Sequence, residues 1–284
     1  MITHKTISRF KPALYRASSI PALIIGGFLV LFFLLLALMG PAIAPYDAFE
    51  FHHDASLTSP SQLYFFGTDQ FGRDIFSRVI VGTRSIIVLG TLSTTFAVII
   101  GVLIGLISSY KAGMFDEIVM RLLDGFMAIP TLLTVLLVLA VFGSSTFNVI
   151  LSIGIVFVPV IARVTRSAVL DVLSLEYVQI AKVRGESARY IMFREILPNI
   201  YGTLAVEASI RFSFAILAAS ALGFLGMGVQ PPTPDWGLMA SEGRNFVTRA
   251  PWMVVFPGLA IATLVVGVNL LVDGLREYLE TDFT

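Results

Sequence analysis

Four polar side chains stand in otherwise apolar stretches of this sequence: Asp124, Glu207, Arg211 and Asn269. An ionisable group inside a membrane segment faces the bundle interior, pairs with an opposite charge, or marks a solute pathway. Glu207 and Arg211 are four residues apart, about one helical turn, where opposite charges can meet. They read first as a structural ion pair and second as a substrate contact. Catalysis has little material to work with. There is no cysteine, which removes disulfides, thiolate metal sites and cysteine nucleophiles. His4, His52 and His53 are the only histidines, which leaves almost no material for a histidine-rich metal centre or a Ser-His-Asp triad. The pair His52–His53 reads as ordinary exposed residues of a polar loop. No Gly-x-x-x-x-Gly-Lys-Ser/Thr phosphate loop is present, so the chain is not expected to be an enzyme or to hydrolyse ATP itself.

The elements that position these residues are membrane helices. The chain has 284 residues, 56% of them hydrophobic and 13% charged. Its mean hydropathy is +0.88. One soluble core could not hide that much apolar surface, so lipid must be its solvent. Net charge is zero, and nothing points to nucleic acid. Six runs approach or exceed the roughly 20 apolar residues that a span needs: 20–42, 85–108, 118–142, 147–161, 200–225 and 252–275. The fourth is short unless it extends toward Val169. The first is too long for a signal peptide's apolar region and reads as a retained anchor. Pro130 and Pro159 are expected to kink spans three and four, and Gly101 and Gly105 to allow close helix approach in span two.

Basic residues give the orientation. Lys5, Arg9, Lys11 and Arg16 precede the first span, and Arg163, Arg166, Lys182, Arg184, Arg189 and Arg194 fall between spans four and five. Lys111, Arg121 and Arg276 join them on the same side. Both termini are therefore expected in the cytoplasm. On the opposite side, Ile75, Phe76, Val79 and Ile80 form a helical stripe expected to be a short interfacial helix. Beyond span five, three prolines between Gln230 and Asp235 forbid a regular helix, and Trp236 and Trp252 suit the headgroup level.

The segment 163–199 has mixed polarity and is long for a connection. Ser174 can cap a helix beginning near Leu175, with Glu176 in its first turn. Tyr177, Ile180, Ala181 and Arg184 fall on one face, and Gly185 stops the helix. A second helix, about 187–197, is expected to end at Pro198. The first helix can plug a groove on another protein, or lie on lipid through its basic residues; amphipathicity alone leaves both open.

The run Gln179-Ile180-Ala181-Lys182-Val183-Arg184-Gly185, followed by Leu197-Pro198-Asn199, resembles the cytoplasmic motif of importer permeases in the ATP-binding cassette superfamily. The run from Phe66 to Asp74, that from Asp116 to Asp124, and that from Leu222 to Gly237 resemble the dipeptide/oligopeptide/nickel branch of that family, in its shorter permease type. The chain departs from the motif's opening Glu-Ala-Ala, keeping only Ala181 and Gly185, so a carboxylate at position 179 is no part of the expectation.

The resemblance implies an all-α polytopic protein with the type I importer permease fold. It implies an N-terminal region 1–83, a permease core 84–275 with a coupling loop 162–199, and a tail 276–284. Glu176, Tyr177, Gln179, Ile180, Ala181, Lys182, Arg184, Gly185, Leu197 and Pro198 would form the contact with an ATPase. The implied partners are two ATPase subunits that carry ATP and Mg, a second homologous permease subunit, and an extracytoplasmic substrate-binding protein. No cofactor is expected on this chain. The implied cargo is a di- or oligopeptide, with nickel, glutathione or another small solute as alternatives. A secondary transporter would need more ionisable groups in its spans and an inverted repeat. A scaffold without a pathway would leave substrate uncrosslinked to its spans.

Overall fold

A computed structural model of the chain describes residues 20–281. Lys5, Arg9, Lys11 and Arg16, part of the orientation reading, lie outside them, as does the end of the C-terminal tail. Among the described residues, besides two single-turn 3-10 helices, there are nine longer helices and no named strand: α1 (Pro21–Ile43), α2 (Ile75–Lys111), α3 (Gly113–Met127), α4 (Thr131–Phe142), α5 (Thr146–Leu173), α6 (Glu176–Val183), α7 (Ala188–Phe224), α8 (Trp236–Gly243) and α9 (Trp252–Thr281).

Helices α1, α2, α5, α7 and α9 are each long and apolar enough to cross a membrane. The expected third span is not one kinked helix. It is α3 and α4, bent by 84° at the break between them. Pro130 lacks an N–H and drives the preceding Ile129 out of helical conformation, so the chain restarts a helix at Thr131. Span four does not stop near 161. Its helix runs through Pro159 to Leu173, because its last turns carry charges that pair within the protein.

The chain divides into two compact units, one reaching Ile87 and resuming at Pro232, the other being Val88–Pro231. In the first unit α1 packs on α9 at small residues. A Cβ at Gly26 would lie 2.7 Å from the Leu271 Cα, and one at Gly274 would lie 2.6 Å from the Leu23 Cβ. Such close approach is how membrane helices gain dispersion contact. Ile75, Val79 and Ile80 are buried and belong to the first two turns of α2. The expected separate interfacial helix is thus absent. Asp74 starts α2 by accepting from the Ser77 N–H and Oγ at 2.8 and 2.7 Å, and no proline follows before Lys111.

Trp236 does not lie on the outside of the protein. It is fully buried, with Nε1 donating to the Val79 carbonyl at 2.9 Å. Trp252 is part-buried and donates to the Thr68 carbonyl. Asp235 caps α8 by accepting from the Leu238 N–H at 2.9 Å. Burial pushes its carboxyl up to about 6 against these N–H bonds. Arg73 bridges Asp69 at 2.5 Å and Glu242 at 3.0 Å, and Arg78 donates to the Ala48 carbonyl.

In the second unit α2 meets α5 through glycines. A Cβ at Gly101 would lie 2.8 Å from the Ile161 Cβ, and one at Gly105 would lie 2.7 Å from the Thr165 Cβ. Helix α5 also packs on α7 and α4.

Candidate functional site

The α3 sequence places Asp116, Glu117, Arg121 and Asp124 on one face and Phe115, Ile118 and Leu122 elsewhere, a strongly amphipathic pattern. Its charged face looks across a cavity of about 760 Å³ at Arg163, Arg166 and Asp171 of α5. Asp116 is the one buried residue of α3. Its carboxylate accepts from Arg166 at 2.6–2.9 Å and from the Ser108 Oγ at 2.5 Å. Two turns on, Asp124 pairs with Arg163. Charge, not apolar burial, therefore fastens α3 to α5. Sequence reasoning singled out Asp124 but missed its partner and the whole Asp116–Arg166–Ser108 cluster. The spacing carried a signal: two acids eight apart on α3 and two arginines three apart on α5 each share a face.

The other intramembrane residues do not gather there. Glu207 Oε1 lies 2.8 Å from Arg211 Nε within α7, and the Arg211 guanidinium sits 4.9 Å from the Phe214 ring centre. Asn269 stands on α9, in the other unit.

The segment after α5 forms a second feature. Ser174 does not cap α6. It closes α5, with its Oγ donating to the Asp171 carbonyl at 3.1 Å, and Leu175 stands at the α6 N-cap without a side-chain bond. Gln179 ties α6 back by donating from Nε2 to the Leu173 carbonyl at 2.6 Å. The end of α6 follows a Schellman pattern. The Glu186 N–H reaches the Ala181 carbonyl, and the Gly185 N–H reaches that of Lys182. Gly185 has φ +76°, and a Cβ there would meet nothing within 4 Å. Conformation, not space, selects glycine.

The expected face of α6 splits in two. Val178 and Ala181 turn inward and are buried, on the side where α6 packs on residues 191–196 of α7. The Tyr177 hydroxyl is buried too, and burial, with the Glu195 charge, raises its pKa. Ile180 and Val183 point outward, 58% and 88% exposed. Glu176, Lys182 and Arg184 are also exposed; Arg184 pairs with Glu186 at 3.1 Å, and Lys182 Nζ lies 6.0 Å from the Tyr110 ring. α6 is thus a short rod with an anchored side and a free, partly apolar side.

The second helix does not end at Pro198. Ser187 caps it by accepting from the Tyr190 N–H at 3.3 Å, and it continues into α7 through a π-helical stretch, Ile191–Ile196. The Leu197 N–H reaches the Met192 carbonyl, five residues back. This wide turn sits where the Pro198 ring and its missing N–H must be absorbed. Asn199 Nδ2 satisfies the Glu195 carbonyl at 2.6 Å. Leu197 and Pro198 are therefore helix interior beside the α6 mount, not a terminus.

Comparison with known proteins agrees with this architecture. The family described as binding-protein-dependent transport system inner membrane component matches residues 97–284. The dipeptide transport system permease protein DppC of Escherichia coli (strain K12) is 43% identical over 263 residues, covering 90% of this chain and 88% of its own length. The di/tripeptide transport system permease protein DppC of Pseudomonas aeruginosa is 41% identical over 263 residues, covering 90% and 87%. The glutathione transport system permease protein GsiD of Pectobacterium atrosepticum is 38% identical over 255 residues, covering 89% and 85%. The fold is shared with a solved chain of the MetNI methionine ABC transporter in an inward-facing conformation, at TM-score 0.57 and 15% identity, covering 71% of this chain and 97% of that one. With a family match over about two thirds of its length and relatives above 40% identity, this chain belongs to the binding-protein-dependent transport system inner membrane components, multi-pass permeases of ATP-binding cassette importers.

Proposed function

We propose that the chain forms half of the translocation pathway of an importer for di- or oligopeptides and takes its driving force from partner ATPases through α6. The observation that carries the reading is α6 itself: glycine-closed, anchored through Val178 and Ala181, with Ile180 and Val183 free to enter a groove on another protein. Glu176, Gln179, Lys182 and Arg184 would frame that contact. Gly185 would set its end, and Leu197 and Pro198 would pass its displacement into α7.

The partners would be two ATPase subunits holding ATP and Mg, a second homologous permease, and an extracytoplasmic binding protein. This chain would hold no cofactor and catalyse nothing. Both termini would be cytoplasmic, as the basic residues around α6 favour. Rocking of the two permeases would alternate access. The names of the DppC relatives support peptide cargo, and the GsiD relative keeps glutathione, itself a small peptide, as a second reading.

Uptake of labelled dipeptide in a strain lacking the chain tests this. Restored uptake that needs ATP and the accompanying subunits is the expected result. Vectorial transport by the purified chain alone in vesicles with an ion gradient and no ATP contradicts it.

A further inference from the structure

A second cavity, of about 360 Å³, opens between the last turns of α2 and the apolar face of α3. Leu103, Ile104 and Ile107 form one wall, and Phe115, Val119 and Leu122 form the other. Ile107, Phe115 and Leu122 are exposed, so the groove is open on the outside of the unit. Its volume falls within the range of small-molecule sites. At its end stands Lys111, the last residue of α2, with Nζ 4.6 Å from the centre of the Phe115 ring that also lines the groove. Among the described residues no carboxylate pairs with Lys111. Lys182 approaches the same end of α2 in space, its Nζ 6.0 Å from the ring centre of Tyr110, the residue before Lys111.

We propose that this groove is a binding site for one anionic phospholipid, its acyl chain between α2 and α3 and its phosphate at Lys111, with Lys182 adding to the local positive field. Charge decides between occupants. An apolar helix laid in the groove would cover the Lys111 ammonium without offering a counter-charge, which is costly. A phospholipid supplies an apolar tail and an anion in the order the groove presents them. Lysine at the end of an apolar run already sits at headgroup depth. A basic residue near a membrane surface favours an anionic lipid by about fivefold.

The test uses the full chain, purified with the subunits that accompany it and reconstituted in phosphatidylcholine vesicles. A Leu122→Trp variant places a fluorescent reporter at the lip of the groove, where the side chain is 70% exposed and needs no new space. Ile107→Trp reads the opposite wall. The signal of Trp236 and Trp252 is subtracted using the parent chain. Brominated phosphatidylglycerol should quench either reporter at roughly one fifth the mole fraction of brominated phosphatidylcholine. Lys111→Gln should bring the two lipids close to parity while quenching persists. Equal quenching by both lipids in the Lys111 form, an unchanged preference in Lys111→Gln, or quenching by neither lipid, as a protein helix in the groove would give, each overturns the proposal.

Discussion

Asp69, Arg73, Arg78 and Glu242 in the first unit, and Asp116, Asp124, Arg163 and Arg166 in the second, are each two acids and two arginines, yet they live in different solvents. The first four are tied to one another and to the backbone, and the side chains of Asp69, Arg73 and Arg78 are at most 8% exposed. In the second group only Asp116 is well covered. Asp124 and Arg163 are nearly half exposed, and Arg166 is 36% exposed, around an open cavity. A buried pair that loses a partner strands a charge; an exposed pair exchanges its partner for water at little cost. The first group suits a fixed frame, and the second suits a contact that breaks and re-forms as the chain changes state.

Removing single partners is the strongest way to break that contrast. Asp69→Ala strands Arg78 and leaves Arg73 with Glu242 alone, and should cost about 3–5 kcal/mol, read as a fall in thermal midpoint and in the amount of protein in the membrane. Asp124→Ala should cost under about 1 kcal/mol by the same measurement. If the two variants lose similar stability, the contrast between frame and movable contact fails.

Gly185 extends the comparison to α6. Gly185→Val should reduce uptake by roughly tenfold or more with membrane levels unchanged, because left-handed backbone costs an L-residue about 1–2 kcal/mol at the end of the rod. Gly185→Asn, which tolerates that conformation, should keep most of the activity. Failure of both variants alike would point to lost space, which the open surroundings of Gly185 argue against.

Asp235 tests the frame by pH. Its folded carboxyl sits at about 6, above the ordinary 3.8, so between those values the folded chain holds a proton that the unfolded chain releases. Stability should therefore decline as pH rises through that window, and the deficit should be complete above it. Asp235→Asn keeps an acceptor for the Leu238 N–H and carries no charge. It should be more stable than the parent by roughly 3 kcal/mol at pH 7.5 and close to equal at pH 4. The smallest effect belongs to Arg121→Ala. Its pair with Glu117 is 77% and 60% exposed, and thermal unfolding should shift by less than about 0.5 kcal/mol.

The number of apolar runs and the short glycine-closed helix before Gly185 could be read from the sequence because each depends on local chemistry. Apolar length marks a span, and an unpaired left-handed position demands glycine. What could not be read depends on partners distant in the chain. The stripe from Ile75 to Ile80 gave no sign that Trp236 would cover it from 157 positions away, as the Trp236–Val79 bond shows. Asp124 could be seen as a costly charge, but Arg163, which relieves it, is 39 residues on. Pro198 reads as a stop because the proline rule is local. The π-helical stretch that lets the helix continue answers to α6 packing on residues 191–196. The Ser174 expectation failed for a related reason. Its hydroxyl has two helix ends within reach, and α5 takes it.

The proposed route of force runs through the exposed side of α6. The chain has no cysteine, so Ile180→Cys and Val183→Cys each place one thiol on that side without background. Crosslinking through a photoreactive group attached to that thiol should be measured in membranes containing the accompanying subunits, with and without ATP. Both positions should crosslink to an ATPase subunit, with yields that change with nucleotide, while Val178→Cys on the buried side should not. If Ile180→Cys and Val183→Cys instead react only with lipid-soluble thiol reagents and crosslink to no ATPase, α6 lies on the bilayer and the claim is wrong.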